Sequence, residues 1–396
     1  MVDPLAHARE LLRRVPLADG HNDLLYAMRN KADYDFDQID IANDQPDLHT
    51  DIPRLRAGGV SVQFWSVYVP SSPVSPRAVV KTLEQIDAMH RMVDRYPETF
   101  EVAYTADDVE RIFAAGRIAS LAGMEGGHSI GNSLGALRMM HRLGARYMTL
   151  THNDNTAWAD SATAEPKVGG LNDFGEEVVR EMNRLGMLVD LSHVAPDTMR
   201  AALRVSEAPI VFSHSSCRAL CDVPRDVPDD VLASVPGNGG VCMITFVPGF
   251  VSQEVVDYNA AAAAAAKEAG VREPRSWYET ETKAFYAKYR EEHPRPAATL
   301  AQVADHVDHA REIAGVDHLG LGGDYDGCDG LPEGLEDVAR YPHLFAELID
   351  RGWSDDDLTK LAGHNVIRAL RDAETVAARL QKERPASKVR APRAWG

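Results

Sequence analysis

The chain has 396 residues, enough for one α/β barrel with insertions or for two to three smaller domains. Its 60 acidic and 42 basic residues give a net charge of −18 at pH 7, which argues against a nucleic-acid-binding surface. The four cysteines have no CxxC spacing, no run reaches the roughly 20 apolar residues of a membrane span, and no apolar stretch of signal-peptide length opens the chain. We therefore expect a cytoplasmic enzyme for small molecules that binds neither nucleic acid nor membrane.

The predicted secondary structure alternates between strands and helices. A short amphipathic helix through Leu5, Leu11 and Leu12 opens the chain. Eight apolar, β-forming runs are predicted as strands: Val15–His21, Val60–Val69, Arg117–Gly123, Ala145–Thr151, Met187–Ser192, Pro209–Ser213, Gly240–Val247 and His318–Gly323. Helical patterns lie between most of them, at Ala78–Tyr96, Gly131–Leu143, Asp173–Leu185, Pro196–Val205 and Leu300–Ala314. This order predicts an α/β fold of the (β/α)8 TIM-barrel type, with a parallel sheet buried on both faces.

Two segments fall outside this repeat. Residues 251–298 form an insertion after the seventh strand, and the alanine run at 260–266 predicts that the insertion is helical. Two roles remain open for it, an outer packing or dimer-contact element and a lid over the substrate. Residues 355–382 predict one or two closing helices. We therefore expect a single domain over residues 1–382, followed by a flexible basic tail at 383–396.

Metal-binding side chains stand at the ends of several predicted strands. His21 and Asp23 form an HxD pair after the first strand, Glu125 follows the third, and His193 and His214 follow the fifth and sixth. Such groups meet at one mouth of a barrel, and residues i and i+2 of a strand face the same way. A carboxylate can bridge two cations about 3.5–4 Å apart. The spacing therefore predicts two sites that share Glu125, whose N and O ligands and open coordination favour Zn²⁺, with Mn²⁺ or Co²⁺ as alternatives.

Each of these residues also has a purely structural interpretation. An HxD pair commonly forms an internal hydrogen bond, and a single histidine at a strand end is more often a core residue than a ligand. Glu125 could form a buried ion pair with Arg117 or Arg146. The coincidence of five such groups at strand ends favours the metal sites.

The motifs that carry these residues resemble those of a known family. They are DGHNDL at 19–24, GMEGGHSI at 123–130, LTHNDNTAWAD at 150–160, DLSH at 190–193, FSHS at 212–215, CDVPRDVPDD at 221–230 and GGDYDG at 322–327. In this order they resemble the membrane (renal) dipeptidase family of the amidohydrolase superfamily, over nearly the whole chain. The resemblance implies a homodimeric binuclear zinc dipeptidase with two ions per chain, bridged by Glu125, and with the ligands His21, Asp23, Glu125, His193 and His214.

The resemblance also implies roles for three further residues. His152 would bind the substrate and polarise the scissile carbonyl, Arg225 would bind the C-terminal carboxylate of a dipeptide, and Asp324 would carry the proton. Structural alternatives exist for each. His152 could be a hydrogen-bond donor behind the ligands, Arg225 a loop charge paired with one of its acidic neighbours, and Asp324 a turn or helix-cap carboxylate.

The activity implied is hydrolysis of dipeptides that have a free C-terminal carboxylate and an L- or D-residue in second position. A metal-bridging hydroxide would attack the peptide carbonyl. The first alternative is another amidohydrolase reaction, on a lactone, cyclic amide or β-lactam, which would need no carboxylate-binding Arg225. The second is a non-catalytic metal-binding barrel, because a fold does not dictate function. Such a barrel would be expected to lack a ligand or Asp324, and the sequence retains all of them.

Overall fold

The computed structural model describes residues 3–71, 76–271 and 280–391. The strands in these residues are Leu17–Asn22 (β1), Val60–Tyr68 (β2), Phe100–Val102 (β3), Ile118–Glu125 (β4), Ala145–Thr149 (β5), Leu188–Asp190 (β6), Ile210–Phe212 (β7), Val241–Ile244 (β8) and Leu319–Leu321 (β9). The α-helices are Pro4–Arg14 (α1), Leu24–Ala32 (α2), Ile52–Gly58 (α3), Pro76–Arg95 (α4), Ala106–Ala114 (α5), Leu134–Arg142 (α6), Asp173–Leu185 (α7), Pro196–Val205 (α8), Asp229–Leu232 (α9), Val235–Asn238 (α10), Pro248–Val251 (α11), Gln253–Glu268 (α12), Thr280–Glu292 (α13), Leu300–Ala314 (α14), Tyr341–Asp350 (α15), Asp355–Thr359 (α16) and Asn365–Glu383 (α17). Short 3₁₀ helices span Gly127–Ile130, Val316–His318 and Val338–Arg340, and a π-helical turn spans Lys360–His364.

Eight of the strands close into a parallel barrel. Their order is β2-β1-β9-β8-β7-β6-β5-β4, and β4 pairs with β2 from Val62↔Ala119 to Tyr68↔Glu125 to complete the circle. Helices lie between most consecutive strands, as a parallel sheet requires. The prediction of a (β/α)8 barrel is confirmed.

The sequence analysis missed one strand. Strand β3 has three residues and pairs in parallel with the first residues of β4, from Phe100↔Ile118 to Val102↔Ser120. Glu101 separates Phe100 from Val102, so no continuous apolar run marks this strand in the sequence. This strand lies outside the closed barrel and contributes no residue to the mouth.

The amino-terminal end of the barrel is filled by apolar side chains. Alternate residues of the strands, such as Val62 and Phe64 of β2 and Leu121 of β4, form one buried cluster with Val366 and Leu370 of α17. Residues i and i+2 of a strand share a face, so this cluster occupies the barrel interior. The polar groups of the barrel are therefore concentrated towards its carboxyl-terminal mouth.

The insertion predicted after the seventh strand follows β8, which is the seventh barrel strand in chain order. Its described part is largely helical, because α12 and α13 fall within it and α11 ends at its first residue, while residues 272–279 lie outside the described residues. Tyr258 of α12 faces Tyr289 of α13, with ring centroids 5.7 Å apart. The two helices of the insertion therefore pack against each other through aromatic rings.

The carboxyl-terminal segment predicted as one or two helices forms α16, the π-helical turn and α17. Beyond α17, Ser387 donates its backbone N–H to Glu181 Oε2 at 3.2 Å, and Arg384 donates to the Arg180 carbonyl at 2.6 Å. Residues 392–396 lie outside the described residues, so a flexible tail at 383–396 stays a prediction. Among the described helices, none combines the length and the hydropathy that crossing a bilayer requires.

Candidate metal centre

The predicted site residues gather at the carboxyl-terminal mouth of the barrel. His21 lies in β1 and Glu125 is the last residue of β4. Arg225 lies in the long loop between β7 and α9, and the other predicted site residues lie shortly after the end of a strand: Asp23, His152, His193, His214 and Asp324. Because the strands are parallel, the loops after them converge at one end, as in TIM-barrel enzymes.

Six of the eight predicted strands end earlier than the sequence predicted, whereas β1 and β4 end slightly later, at Asn22 and Glu125. Asp23 does not lie in the strand with His21 but is the N-cap residue of α2, with φ −96° and ψ 19°. His193 and Asp324 have φ of 65° and 59°, a left-handed conformation that no β-strand adopts. Backbone strain of this kind is concentrated at functional sites, where the surrounding structure holds it.

Glu125 stands at the centre of the site and presents its two oxygens to different histidines. Oε2 lies 3.5 Å from His21 Nε2. Oε1 lies 3.0 Å from His193 Nε2 and 3.6 Å from His214 Nε2 and from His152 Nε2. The ion pair with Arg117 or Arg146 is not formed, because Arg117 pairs with Glu101 and Arg146 donates to backbone carbonyls. A carboxylate with two such faces has the geometry of a bridging group.

Three groups of potential ligand atoms overlap here, and within each group all atoms lie within 4.8 Å of one another. They are His21/Glu125/His214, Glu125/His152/His193 and His21/Asp23/Asp324. The five predicted ligands are therefore brought together. His152 and Asp324 belong to two of these groups and lie as close to the centre as the predicted ligands do. Distance alone therefore does not decide whether either residue is a metal ligand or a catalytic group.

The first observation that favours a cation here is a set of buried polar atoms without partners. His21 Nε2 and Asp23 Oδ1 are buried and form no hydrogen bond within the described part of the chain. His193 Nε2 and His214 Nε2 lie only 3.0 Å apart. Unpaired buried polar groups are costly, whereas imidazole nitrogens and carboxylate oxygens are ligands that Zn²⁺ accepts. The residues present fit a bound divalent metal.

The pKa values of three histidines at the centre also favour metal binding. Burial lowers the pKa of His152, His193 and His214 well below the usual histidine value, and the positive charge of Arg225 acts in the same direction. These imidazoles are therefore neutral at pH 7, and a neutral imidazole has a lone pair for a metal ion.

The carboxylate side of the site concentrates negative charge. Burial raises the pKa of Asp324 well above its usual value, and the carboxylates of Asp23 and Glu125 raise it further, against the opposing effect of His21. Burial opposes the charged form of His21, but Tyr147, Glu125 and Asp23 outweigh it and raise the pKa of His21 well above its usual value. A proton and a divalent cation compete for such a position.

Two hydrogen-bonded supports behind the ligands were not identified from the sequence. Tyr147 OH lies 2.8 Å from His21 Nδ1 and donates to the Gly20 carbonyl at 3.1 Å, so His21 Nδ1 is the donor between them. Ser213 Oγ lies 2.8 Å from His214 Nδ1 and donates to Asp190 Oδ2 at 2.6 Å. Both arrangements leave Nε2 free for the metal centre. The DLSH motif contains Asp190 and was a signal for it, but no pattern in the sequence marked Tyr147.

Arg225 is buried at the edge of this centre without a carboxylate partner. Its Nη1 and Nη2 atoms lie 3.4 Å from Ser215 Oγ and from the His214 carbonyl, and its Nε has no hydrogen bond within the described residues. The local ion pair considered from the sequence is not formed. Its acidic neighbours are engaged elsewhere: Asp222 with Arg218, Asp229 with His309, Asp230 with Arg200, and Asp226 with the Ser216 backbone. A buried guanidinium with this freedom can bind an anion.

Comparison with known proteins gives the family. The sequence model of the membrane dipeptidase family, peptidase family M19, matches residues 5–384, and the chain belongs to that family. Members are metal-dependent peptidases, so this chain is a metal-dependent hydrolase of the amidohydrolase fold.

Solved structures with the same fold include several dipeptidases. One is the probable dipeptidase PvdM from Pseudomonas aeruginosa, with 25% identity over 94% of this chain and 99% of that one and a TM-score of 0.82. Another is dipeptidase AC, a metallopeptidase of family M19, with 27% identity over 91% and 98% of the two chains and a TM-score of 0.72. A metallopeptidase from Rhodobacter sphaeroides, liganded with a phosphinate mimic of L-Ala-D-Ala, shares 24% identity over 91% and 99% and a TM-score of 0.74.

Proposed function

We propose that this chain is a binuclear zinc dipeptidase that cleaves dipeptides with a free C-terminal carboxylate and accepts an L- or D-residue in second position. One observation carries the proposal. A buried guanidinium, that of Arg225, stands without an acidic partner beside a centre whose carboxylate, Glu125, faces histidines with both of its oxygens. A cation-binding centre and an anion-binding side chain side by side suit a substrate with a carbonyl near a free carboxylate.

The two metal positions would share Glu125. We assign His21 and Asp23 to the position that faces Oε2, and His193 and His214 to the position that faces Oε1. Zinc ions held by these residues would acidify a bound water and would polarise a peptide carbonyl. N and O ligands without thiolate favour zinc over softer metals.

Arg225 orients the substrate. Its planar guanidinium can form two parallel hydrogen bonds with a carboxylate, and burial makes these bonds stronger than they would be in water. Only the last peptide bond of a chain has a free carboxylate one residue after it, so this contact excludes internal peptide bonds, and a dipeptide is the shortest substrate that satisfies it. A lactone or cyclic amide without a carboxylate would leave Arg225 unpaired, which disfavours the alternative amidohydrolase reactions.

His152 and Asp324 act on the reacting groups. The neutral His152 ring packs against the rings of Tyr68 and His193, at centroid distances of 4.6 and 4.3 Å, so its orientation is fixed. We assign it the role of hydrogen-bond donor to the carbonyl oxygen as negative charge develops there. Asp324, whose carboxylate Oδ1 lies 3.9 Å from His21 Nε2, takes the proton from the attacking water and delivers it to the leaving amine.

The proposal is tested by metal analysis and hydrolysis with the same preparation. Elemental analysis should find about two zinc ions per chain, because the five ligands form two positions around one shared carboxylate. The protein should cleave Ala-Ala dipeptides of both configurations at the second residue, and it should lose most of its kcat/KM when the C-terminus is amidated. One ion per chain would refute the binuclear arrangement, and equal cleavage of amidated and free dipeptides would refute the role of Arg225.

Two further expectations stay predictions. We expect the chain to form a homodimer and to act in the cytoplasm. Light scattering of the purified protein and fractionation of the producing cells would test them separately.

A further inference from the structure

A cavity of about 280 Å³ lies next to the metal centre, and no catalytic role has been assigned to it. Its lining is mostly apolar and includes Val247, Phe250 and Val256, contributed by the loop after β8 and by the insertion. Arg295 and Cys328 also line it. A volume just below the range of drug-sized ligand pockets suits one amino-acid side chain rather than a longer peptide.

Two of its walls belong to the surroundings of the proposed catalytic residues. The guanidinium carbon of Arg225 lies 4.9 Å from the centroid of the Phe250 ring. Cys328 Sγ lies 3.6 Å from the backbone carbonyl of Asp324. In the C-terminal residue of a dipeptide, the carboxylate and the side chain are attached to the same Cα. If Arg225 binds that carboxylate, the side chain of the dipeptide's C-terminal residue begins close to Arg225. It must therefore lie close to Phe250, and hence at this cavity.

The charge of the cavity comes from Arg295. Its Nη1 donates to the backbone carbonyl of Asp329 at 2.9 Å, and its Nε is buried with no hydrogen-bond partner within the described residues. The side chain of Asp329, which also lines the cavity, forms an ion pair with Arg290 instead. The Asp329 carboxylate is thus bonded to a second arginine, and although it still acts on Arg295 electrostatically, the buried Arg295 Nε is left without a hydrogen-bond acceptor in a mostly apolar wall.

We propose that this cavity receives the side chain of the C-terminal residue of the dipeptide and that Arg295 makes the enzyme prefer an acidic residue, aspartate or glutamate, in that position. The inference rests on the proposed dipeptidase function and narrows its substrate class. The apolar wall excludes water from the methylene groups of the bound side chain. The guanidinium at its edge can form charge-assisted hydrogen bonds with a carboxylate at the end of that side chain. The side-chain amide of asparagine or glutamine has the same shape but no charge, so it should bind to Arg295 more weakly.

The kinetic test compares dipeptides that differ only at the tip of the second side chain. Ala-Glu and Ala-Gln, each with the L- and the D-configuration at the second residue, should differ in kcat/KM by about 10- to 100-fold in favour of Glu, the range expected for hydrogen bonds to a charged group. Arg295→Met should abolish this preference by raising KM for the Glu substrates while kcat stays nearly constant, because the contact is remote from the scissile bond. Arg295→Lys keeps the charge without the planar fork and should retain part of the preference.

Lys288→Met is the matched control. Lys288 is a largely exposed cation of α13 that is not among the residues lining the cavity, and within the described residues it pairs with Glu292 at 3.7 Å. This variant therefore changes the net charge equally. It should leave the Glu-to-Gln ratio unchanged. A ratio near one in the unmodified enzyme refutes the proposal, and so does an Arg295→Met variant that slows both substrates equally.

A binding measurement separates this inference from the proposed function. The C-terminal amino acid is itself a product, so free glutamate should bind the metal-loaded protein more tightly than glutamine in calorimetry, and Arg295→Met should remove the difference. If no dipeptide is cleaved but this difference is present, the dipeptidase function fails and the cavity assignment stands. If dipeptides are cleaved and glutamate has no advantage, the cavity assignment fails alone.

Discussion

The hydroxyl of Tyr147 should control which nitrogen of His21 carries the proton, and removal of that single oxygen atom tests this role. Its hydroxyl donates to the Gly20 carbonyl and therefore accepts from His21 Nδ1, at 2.8 Å. When a metal replaces the proton on Nε2, this hydrogen bond keeps the remaining proton of His21 on Nδ1. Tyr147→Phe removes the acceptor and keeps the ring. His21 is then free to change its tautomer and place the proton on the ligand atom.

The expected loss follows from the burial of this hydrogen bond. Both side chains are completely buried, so no water replaces the missing oxygen, and an unpaired buried donor costs about 1–3 kcal/mol. Removal of a group that orients a metal-bound histidine typically lowers metal affinity about 10- to 100-fold, which corresponds to roughly 1.4–2.7 kcal/mol. The two magnitudes agree, so Tyr147→Phe should weaken the His21 metal position by at least about tenfold.

Chelator competition with a zinc indicator measures this loss without any reliance on activity. The matched control is Tyr325→Phe, because Tyr325 is also completely buried but its hydroxyl has no hydrogen-bond partner within the described residues. The control should bind zinc as the unmodified protein does. If Tyr147→Phe also binds both ions with unchanged affinity, the hydroxyl does not set the tautomer of His21 and the assignment is wrong.

Four further predictions concern the metal bridge, the two catalytic assignments and acid stability. Glu125→Gln should deplete both metal positions together in elemental analysis, whereas His214→Ala should mainly empty one. Asp324→Asn should lower kcat about 10²–10⁴-fold with unchanged metal content, and a near-normal kcat would exclude it as the proton carrier. Arg225→Met should raise KM far more than it lowers kcat, because the carboxylate contact is present in both substrate and transition state. Burial lowers the pKa of His306 from the ordinary histidine value of 6.5 to about 4, so the unfolded chain takes up a proton at a higher pH than the folded chain does. The free energy of unfolding should therefore fall by about 3 kcal/mol between pH 6.5 and 4, and urea titrations should show a shallower fall for His306→Gln.

The barrel, and the gathering of these side chains at its mouth, were predictable because both depend on local pattern. A run of β-formers followed by His or Glu signals a strand and its carboxyl end, and parallel strands bring their carboxyl ends together. This reasoning placed His21 and Glu125 within one region, and the structure brings their side-chain atoms to 3.5 Å. Strand β3 was not predicted, because Glu101 interrupts the apolar residues of this short segment.

The backbone at the ligands was not predictable in the same way. The HxD argument assumed that His21 and Asp23 share a strand, but Asp23 begins a helix, and its backbone N–H donates to the Tyr325 carbonyl at 2.8 Å. The carboxylate still reaches within 3.2 Å of His21 Nε2. The right neighbours were therefore inferred from the wrong geometry, because two residues apart along a chain remain close in a turn as well as in a strand.

The second layer of the site shows why sequence alone gives ligands more readily than their supports. A Cβ at Gly123 would overlap the Tyr147 ring, so the glycine in the GMEGG motif makes room for the hydroxyl that orients His21. Neither residue has metal-binding chemistry of its own, and their relation exists only because Gly123 pairs with Tyr147 across β4 and β5. Gly123→Ala should therefore lower zinc affinity much as Tyr147→Phe does, through displacement of the ring rather than loss of the oxygen. The double variant should then lose little more than either single variant, because both changes remove the same hydrogen bond.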